Sequence, residues 1–224
     1  MKILPLAKAL AAATLATALA TPALANNVNI TNFTYLPASS VSVATPSYSG
    51  RAGQFSGFLD SKAFVTFCTE LTEQFSFNPL PAAPYVYSIV SGVSAWGATK
   101  SNALDKVLSY AKAQNWPNSA DTSAAVQAAV WEVLYETTGS YSFGAGTFTA
   151  SSSGATQTAL NNFNWATVGT TSVSVHADQL SNKSEKLQDF LVTTPVPEPE
   201  SYAMMLAGLS LVGAIARRRR SSAN

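Results

Sequence analysis

Hydrophobic and polar positions alternate along residues 28–67, as they do in β-strands. Clear alternation occurs at residues 28–31 and 41–43, and prolines and glycines separate the alternating stretches. An apolar run rich in β-forming residues, at 64–67, leads directly into Cys68. This part of the chain is therefore predicted to consist of strands and loops.

Helical spacing replaces alternation in the middle of the chain, after an irregular proline-rich stretch. The first helix is predicted to begin near residues 101–102 and to end before Pro117. Its apolar stripe comprises Leu104, Val107, Leu108 and Ala111. The second helix is predicted to be capped by Asp121 or Thr122 and to extend to about residue 136.

The remaining segments predict a return to loops and strands. Residues 140–158 are rich in Gly and Ser and predict a loop with one short strand. Alternation resumes at 171–175, and the apolar residues 190–192 are suited to closing a sheet. The predicted fold class is α+β, with a β-rich sandwich or barrel-like core and a small inserted helical subdomain.

The N-terminus has the pattern of an export signal. Lysines precede a small apolar core at residues 9–20, and an A-x-A site predicts cleavage between Ala25 and Asn26. Residues 1–25 are therefore predicted to be a signal peptide removed by signal peptidase. A secreted α+β domain is predicted over residues 26–194.

Three features follow one another in the C-terminal segment, residues 195–220. Pro197, Glu198 and Pro199 precede an apolar run at 202–216, which is shorter than the roughly 20 residues that span a bilayer comfortably. A basic cluster follows, which would stay on the cytoplasmic side of a membrane. It comprises Arg217, Arg218, Arg219 and Arg220.

This arrangement resembles the PEP-CTERM sorting signal of Gram-negative bacteria. The resemblance implies transient anchoring in the inner membrane through the apolar segment. It further implies cleavage near the Pro-Glu-Pro by an exosortase and transfer to the cell surface or extracellular matrix.

Charge argues against nucleic-acid binding. Charged residues make up 11% of the chain, and the net charge is +1 with 13 Lys and Arg. Six of those 13 lie in the two terminal signals, so the remaining domain is mildly acidic. Phosphate recognition needs clustered Lys and Arg, and the domain lacks such a cluster.

Cys68 is the single cysteine of the chain, so it cannot form a disulfide within it. Three interpretations are open: a buried cysteine acting as a small hydrophobic residue, pairing between molecules, or a reactive role.

The second predicted helix directs a polar side chain inward. Glu132 and Glu136 are spaced i, i+4 and are interpreted as its solvated face. Gln127 then lies nearly opposite, on the stripe that contains Trp131. A buried amide needs partners, which could be a nearby backbone group or a covalent bond.

Cys68 and Gln127 together suggest an internal thioester. The cysteine sulfur would attack the glutamine side-chain carbonyl and release ammonia, with orientation supplying most of the rate. Aromatic cover would slow hydrolysis, and Phe67 and Trp131 are close in sequence to the reacting residues.

Residues 67–70 (Phe-Cys-Thr-Glu) and 126–131 (Val-Gln-Ala-Ala-Val-Trp) resemble the two motifs of thioester adhesion domains from Gram-positive surface proteins. The resemblance implies that Cys68 is the thioester sulfur and Gln127 the acyl donor, with Glu70 and Trp131 in supporting positions. Two residues differ from the usual motif, since Val126 replaces Thr and Val130 replaces Ile.

Other sites have weaker support. His176 is the only histidine, and Asp178 would share its strand face, but no G-x-S-x-G elbow supplies a nucleophile for a hydrolase.

No metal-ligand spacing or cofactor motif is recognisable. A further set of aromatic residues could line a sugar-binding surface or belong to the core: Trp96, Trp116, Tyr141 and Trp165.

The sequence therefore favours a non-enzymatic surface adhesion module whose Cys68–Gln127 thioester traps an amine or hydroxyl of a protein or glycan. The alternative is a non-reactive structural protein of an exopolysaccharide or biofilm matrix. A secreted hydrolase has no catalytic set to support it, and ice binding has no regular Thr-x-Thr array.

Overall fold

The computed structural model describes residues 25–73, 75–77, 84–182 and 187–196, together with 205, 208–210 and 212. The elements, in chain order, are β1 (Ala25–Phe33), β2 (Ser40–Val43), β3 (Tyr48–Arg51), β4 (Phe55–Leu59), β5 (Lys62–Thr66), β6 (Tyr85–Val90), α1 (Gly92–Ala113), α2 (Ala120–Tyr135), β7 (Ala150–Ser151), α3 (Gly154–Asn162), α4 (Trp165–Thr170), β8 (Val175–Ser181) and β9 (Phe190–Pro195). This architecture confirms the predicted α+β class.

Six antiparallel strands form a nearly closed, barrel-like sheet in the order β5-β4-β1-β6-β8-β9. The chain just after β5 meets β9 and joins the two ends of the sheet. Leu191 N–H donates to Phe67 C=O at 3.0 Å, and Thr69 N–H donates to Asp189 C=O at 3.0 Å. Cys68, between these bonds, forms a β-bridge with Phe190 and therefore lies at the seam of the barrel.

A second sheet of three strands lies beside the barrel, in the order β3-β2-β7. Its strands pair antiparallel, and β3 is an edge strand. The sheet contacts the helical part of the molecule through β2 and α2. Helices α1 to α4 all lie between β6 and β8 in sequence, as the prediction of an inserted helical subdomain requires.

Helix α1 starts earlier than the sequence predicted. It begins at Gly92, with Ser91 as N-cap, whereas the apolar stripe placed its start near residues 101–102. Gly97 has a φ of 78° and interrupts the helical backbone. The first turns precede this break and carry no apolar stripe, so periodicity could not detect them.

Helix α2 starts slightly before the predicted cap. Ser119 is the N-cap and forms a reciprocal capping box with Thr122, the residue three positions on. The Asp121 carboxylate, also a predicted cap, instead accepts bonds from Ser39 Oγ at 2.8 Å and Thr156 Oγ1 at 2.5 Å. These bonds connect the start of α2 to the second sheet and to α3.

The segment after α2 was predicted only in part. Residues 140–158 contain the expected short strand β7, but α3 begins within them at Gly154. The strand predicted at 171–175 begins only at its last residue, Val175. The predicted closing strand at 190–192 is confirmed as part of β9.

Both predicted processing signals lie largely outside the described residues. Ala25 and Asn26, at the predicted cleavage point, start β1 and pair with Ser88 and Tyr87 of β6. The Pro-Glu-Pro and the arginine cluster are not among the described residues. Within the part of the chain that the structure describes, no helix has the length and apolarity needed to cross a membrane.

Candidate functional site

Gln127 of α2 meets the main chain of Cys68 at the seam of the barrel. The Cys68 N–H donates to Gln127 Oε1 at 2.9 Å, and Gln127 Nε2 donates to the Cys68 carbonyl oxygen at 2.9 Å. Both residues are buried, and Cys68 is a free cysteine. The predicted inward orientation of Gln127 is confirmed, and its amide has partners on both sides.

Local sequence explains why α2 can approach the seam so closely. Four alanines, at positions 124, 125, 128 and 129, flank Gln127 on the helix, and all are fully buried. Short side chains allow a helix backbone to pack near another segment without leaving voids. Gln127 therefore reaches the backbone of Cys68 from the centre of a buried helix.

A pocket of about 440 Å³ opens beside the two residues. Cys68, Gln127 and Gln188 lie on its wall together with Glu70, Glu73 and Arg51. The rest of the lining is mostly aromatic: Phe33, Tyr48, Phe55, Phe75, Phe77 and Trp131. The site thus combines an apolar enclosure with a few polar groups, as small-ligand sites commonly do.

The two predicted covering aromatics occupy different places. Trp131 lines the pocket, and its ring packs edge-on against Tyr48 with centroids 5.3 Å apart. Phe67 is buried in the core and lines a separate cavity of about 170 Å³ with Val126 and Leu191. Aromatic cover in the pocket therefore comes from α2, β3 and the neighbouring strands.

Burial keeps the Cys68 thiol protonated. Desolvation, and secondarily the charge of Glu70, raises the pKa of Cys68 well above its usual range. Burial and the proximity of Cys68 also raise the pKa of Tyr48 to about 12. A thiol in this environment is a poor nucleophile unless a base removes its proton as it attacks.

Glu70 is the titratable carboxyl on the pocket wall nearest in sequence to Cys68. Burial is the main cause that raises the pKa of Glu70 to about 7, and the charges of Asp189 and Glu73 contribute. The Asp189 N–H opposes this shift by donating to Glu70 Oε2 at 3.1 Å. Gln188 Nε2 donates to the backbone carbonyl of Glu70, which fixes this segment against the start of β9.

The interpretation of Glu132 and Glu136 as the solvated face of α2 is wrong, because both are buried. Glu132 Oε1 accepts from Ser142 N–H at 2.7 Å, and Glu136 accepts from the N–H groups of Thr137, Thr138 and Phe148. The two carboxylates therefore hold the loop after α2 against the helix.

The environments of these two carboxyls shift their pKa values in opposite directions. Burial raises the pKa of Glu132 to about 8. The charge of Glu136 adds to this shift, and the hydrogen bond from the Ser142 N–H opposes it. The backbone hydrogen bonds, led by that from Thr138, lower the pKa of Glu136 to about 2. At neutral pH the pair therefore carries one proton, on Glu132.

His176 pairs with a residue that the sequence did not indicate. Its Nδ1 lies 2.7 Å from Oδ2 of Asp105 on α1, while the predicted partner Asp178 accepts from Gly92 N–H at 2.9 Å. The histidine side chain is 56% exposed, in keeping with a surface residue. Within the described residues, no group of three or more His, Cys, Asp or Glu side chains could hold a metal ion.

The aromatic residues considered for sugar binding are partly buried and pack against the core: Trp96, Trp116, Tyr141 and Trp165. Sequence reasoning did not identify Tyr48, Arg51 or Gln188 as pocket residues. Gln188 reaches the pocket through the long-range pairing at the seam. Tyr48 and Arg51 lie on the local β2–β3 hairpin, whose position depends on the long-range pairing of β2 with β7.

Comparison with protein-family models matches residues 195–220 to the PEP-CTERM protein-sorting motif. This match confirms the sorting signal predicted from the Pro-Glu-Pro, apolar and arginine pattern. The motif supports exosortase-dependent export and localisation at the cell surface. No curated protein matches the chain in sequence.

Among solved structures, the chain is similar to the N-terminal domain of the Streptococcus pyogenes pilus tip adhesin Cpa. The TM-score is 0.46 and the sequence identity 14%, with 77% of this chain and 94% of that chain covered.

Proposed function

We propose that this exported protein is an adhesion module in which Cys68 and Gln127 form an internal thioester that covalently traps a nucleophile on a partner. The observation that carries the proposal is the two-way hydrogen bonding, at 2.9 Å in each direction, between the Gln127 amide and the Cys68 backbone. This contact holds the acyl donor beside the residue that bears the thiol.

The hydrogen bonds suit the bond-forming step. As Sγ attacks Cδ of Gln127, negative charge develops on Oε1, which already accepts the Cys68 N–H. A donor fixed before the reaction stabilises that charge without reorganisation. The Sγ–Cδ bond forms, the Cδ–Nε2 bond breaks, and the thiol proton leaves with the nitrogen as ammonia.

Burial of the sulfur and the amide supplies the second part of the argument. Holding two groups in a reactive geometry replaces an encounter in solution by an intramolecular step, worth about 7–11 kcal/mol at best. The apolar pocket limits water near the acyl group, which slows hydrolysis. The same pocket has room for the end of a side chain or a sugar hydroxyl.

Trapping reverses the roles of the groups. A primary amine or hydroxyl attacks Cδ, the Cδ–Sγ bond breaks, and Cys68 recovers its proton as a free thiol. The partner remains bound through an amide or ester at Gln127. Each protein molecule reacts once, so the proposed activity is covalent capture without turnover.

Anchoring gives such capture a mechanical use. The sorting motif at residues 195–220 directs the chain to the surface, and it begins at the last residue of β9. A covalent bond made at the Cys68–Gln127 pocket would then join the cell to its partner.

A non-reactive role in an exopolysaccharide or biofilm matrix is the alternative. The same hydrogen bonds would then serve only to satisfy buried polar groups, which folded proteins generally require. The two proposals differ in chemistry, so a labelling experiment separates them.

The test incubates the exported protein with a biotin-linked primary amine and maps the modified residue. Wild type should carry the label on Gln127 and expose one new thiol. Gln157→Ala changes a glutamine that is not on the pocket wall and should label like wild type. Cys68→Ala and Gln127→Ala should not label. A wild-type protein that is not labelled would contradict the thioester and favour the non-reactive matrix role.

A further inference from the structure

Glu70 lines the pocket that contains Cys68 and Gln127, and it also lines two neighbouring pockets. Side chains two residues apart on an extended chain point to the same side, and Cys68 and Glu70 both line the 440 Å³ pocket. Thr69, between them, lines a neighbouring pocket of about 410 Å³. Glu70 also lines that pocket and a third of about 320 Å³. It therefore connects the acyl site to two further openings.

The chemistry at Cys68 needs a group that can move a proton. Burial and the charge of Glu70 hold the thiol in its protonated form. A protonated thiol must lose its proton as it attacks, and a departing amide nitrogen must gain one. Glu70 lines the same pocket as Cys68 and Gln127, which makes it a candidate for this role.

We propose that Glu70 is the proton-transfer residue of the thioester chemistry, an inference that rests on the function proposed above. In bond formation the carboxylate accepts the proton from Sγ as the Sγ–Cδ bond forms. It then gives that proton to Nε2 as the Cδ–Nε2 bond breaks and ammonia leaves. In trapping it accepts a proton from the attacking amine and gives it to Sγ as the Cδ–Sγ bond breaks.

The setting of Glu70 suits this exchange. Its Oε2 is held by the Asp189 N–H at 3.1 Å, so the carboxyl is positioned before the reaction. Burial, reinforced by the charges of Asp189 and Glu73, raises the pKa of Glu70 to about 7. A base whose pKa lies near the working pH transfers protons most effectively.

Several titratable or charged groups either interact with Glu70 or line a pocket that it also lines. They are Cys68 and Glu73 on its own segment, Asp189 before β9, Tyr135 on α2, and Lys100 of α1 and Arg51 of β3 on shared pocket walls. Glu73 offers a matched control, because its charge raises the pKa of Glu70 and it lines the same pocket.

The test measures how fast methylamine opens the thioester of the full exported chain between pH 5 and 9. Rates are followed by thiol release and divided by the concentration of unprotonated amine. Wild type should show a rate that rises through an inflection near pH 7. Glu70→Gln should lose the inflection and react about 100-fold more slowly at pH 8. Glu73→Gln should keep the inflection but move it to lower pH, and Glu70→Asp should retain a pH-dependent rate.

Each outcome bears on the inference. A folded Glu70→Gln chain that never loses ammonia would support it, because bond formation needs the same proton transfer. If Glu70→Gln fails to fold, the Glu73→Gln variant tests the inference instead. A shift of its rate inflection to lower pH would support the inference, and an unmoved inflection would contradict it. A Glu70→Gln profile equal to wild type would overturn it while leaving the thioester in place. A wild type without a thioester would instead overturn the proposed function itself.

Discussion

Gln127 Oε1 and Nε2 each lie 2.9 Å from a main-chain atom of Cys68, although the two residues are 59 positions apart in sequence. The contact joins the middle of α2 to the seam where β9 meets the chain after β5. One glutamine thus satisfies a backbone donor and a backbone acceptor at the point where the barrel closes. The same contact brings an acyl group beside a buried thiol.

The first prediction separates the hydrogen bonds from the covalent bond. Cys68→Ala and Gln127→Ala both abolish a thioester, but only Gln127→Ala leaves the Cys68 N–H and C=O without partners. An unpaired buried polar group costs about 1–3 kcal/mol. Gln127→Ala should therefore unfold at lower urea concentration than Cys68→Ala, with a free energy of unfolding lower by about 2–6 kcal/mol for the two unpaired groups. Equal stability of the two variants would contradict this role of the amide.

The second prediction concerns Glu132 and alkaline pH. Its pKa is about 8 in the folded protein and ordinarily 4.5, so the folded state binds the proton more tightly. The resulting stabilisation is complete below pH 4.5 and is lost as the pH rises through 8. Glu132→Gln keeps an acceptor for Ser142 N–H and removes the titration. Its stability relative to wild type should increase between pH 5 and 9 by on the order of 1–2 kcal/mol, allowing for solvent screening.

Glu136→Gln is the control for that measurement, because the pKa of Glu136 is shifted in the opposite direction. At about 2, against an ordinary 4.5, it contributes stability above pH 4.5 that is lost as the pH falls through 2. Removing the Glu136 charge also lowers the pKa of Glu132, so the stability of this variant relative to wild type should rise between pH 5 and 9, but by less than that of Glu132→Gln. Urea unfolding of wild type and both variants is measured at the same pH values. Glu70 titrates in all three proteins, so its contribution cancels when each variant is compared with wild type. A flat difference for Glu132→Gln would contradict the assignment.

The third prediction concerns sorting. Deletion of residues 197–224 removes most of the matched motif and leaves all the elements from β1 to β9 in the chain. The truncated protein should appear in the medium, where wild type remains with the cells or their matrix. Deletion of residues 221–224, which lie outside the motif, is the control and should not change retention. Immunoblots of cell and medium fractions measure the distribution, and cell-bound truncated protein would argue against this sorting route.

The interior of α2 could be predicted only in part from the sequence. Gln127 is buried as predicted, although the solvated face from which its position was inferred does not exist. Helical spacing failed for Glu132 and Glu136 because the i, i+4 rule assumes that carboxylates face water, whereas these accept backbone hydrogen bonds from the following loop. A sequence signal existed, since few charged residues occur in this helix and a surface helix normally has a polar face.

The pocket could be predicted only around the two motifs, which supply Cys68, Glu70, Gln127 and Trp131 to its wall. Gln188 comes to Cys68 through pairing between distant segments at the seam, and Tyr48 lies on a hairpin whose position depends on the pairing of β2 with β7. Neither long-range pairing leaves a local pattern in the sequence. The start of α1 escaped detection for a different reason. Gly97 breaks the helix before the apolar stripe begins, so the first turns look like a loop in sequence.

The intact mass of the exported protein tests the central claim most directly. A Cys68–Gln127 thioester predicts a mass lower than that of the processed sequence by one ammonia molecule, with methylamine adding to the chain and releasing a thiol. Cys68→Ala and Gln127→Ala should each have the full mass calculated for their sequences. A wild-type mass equal to the unmodified processed sequence, with no reaction with methylamine, would contradict the thioester.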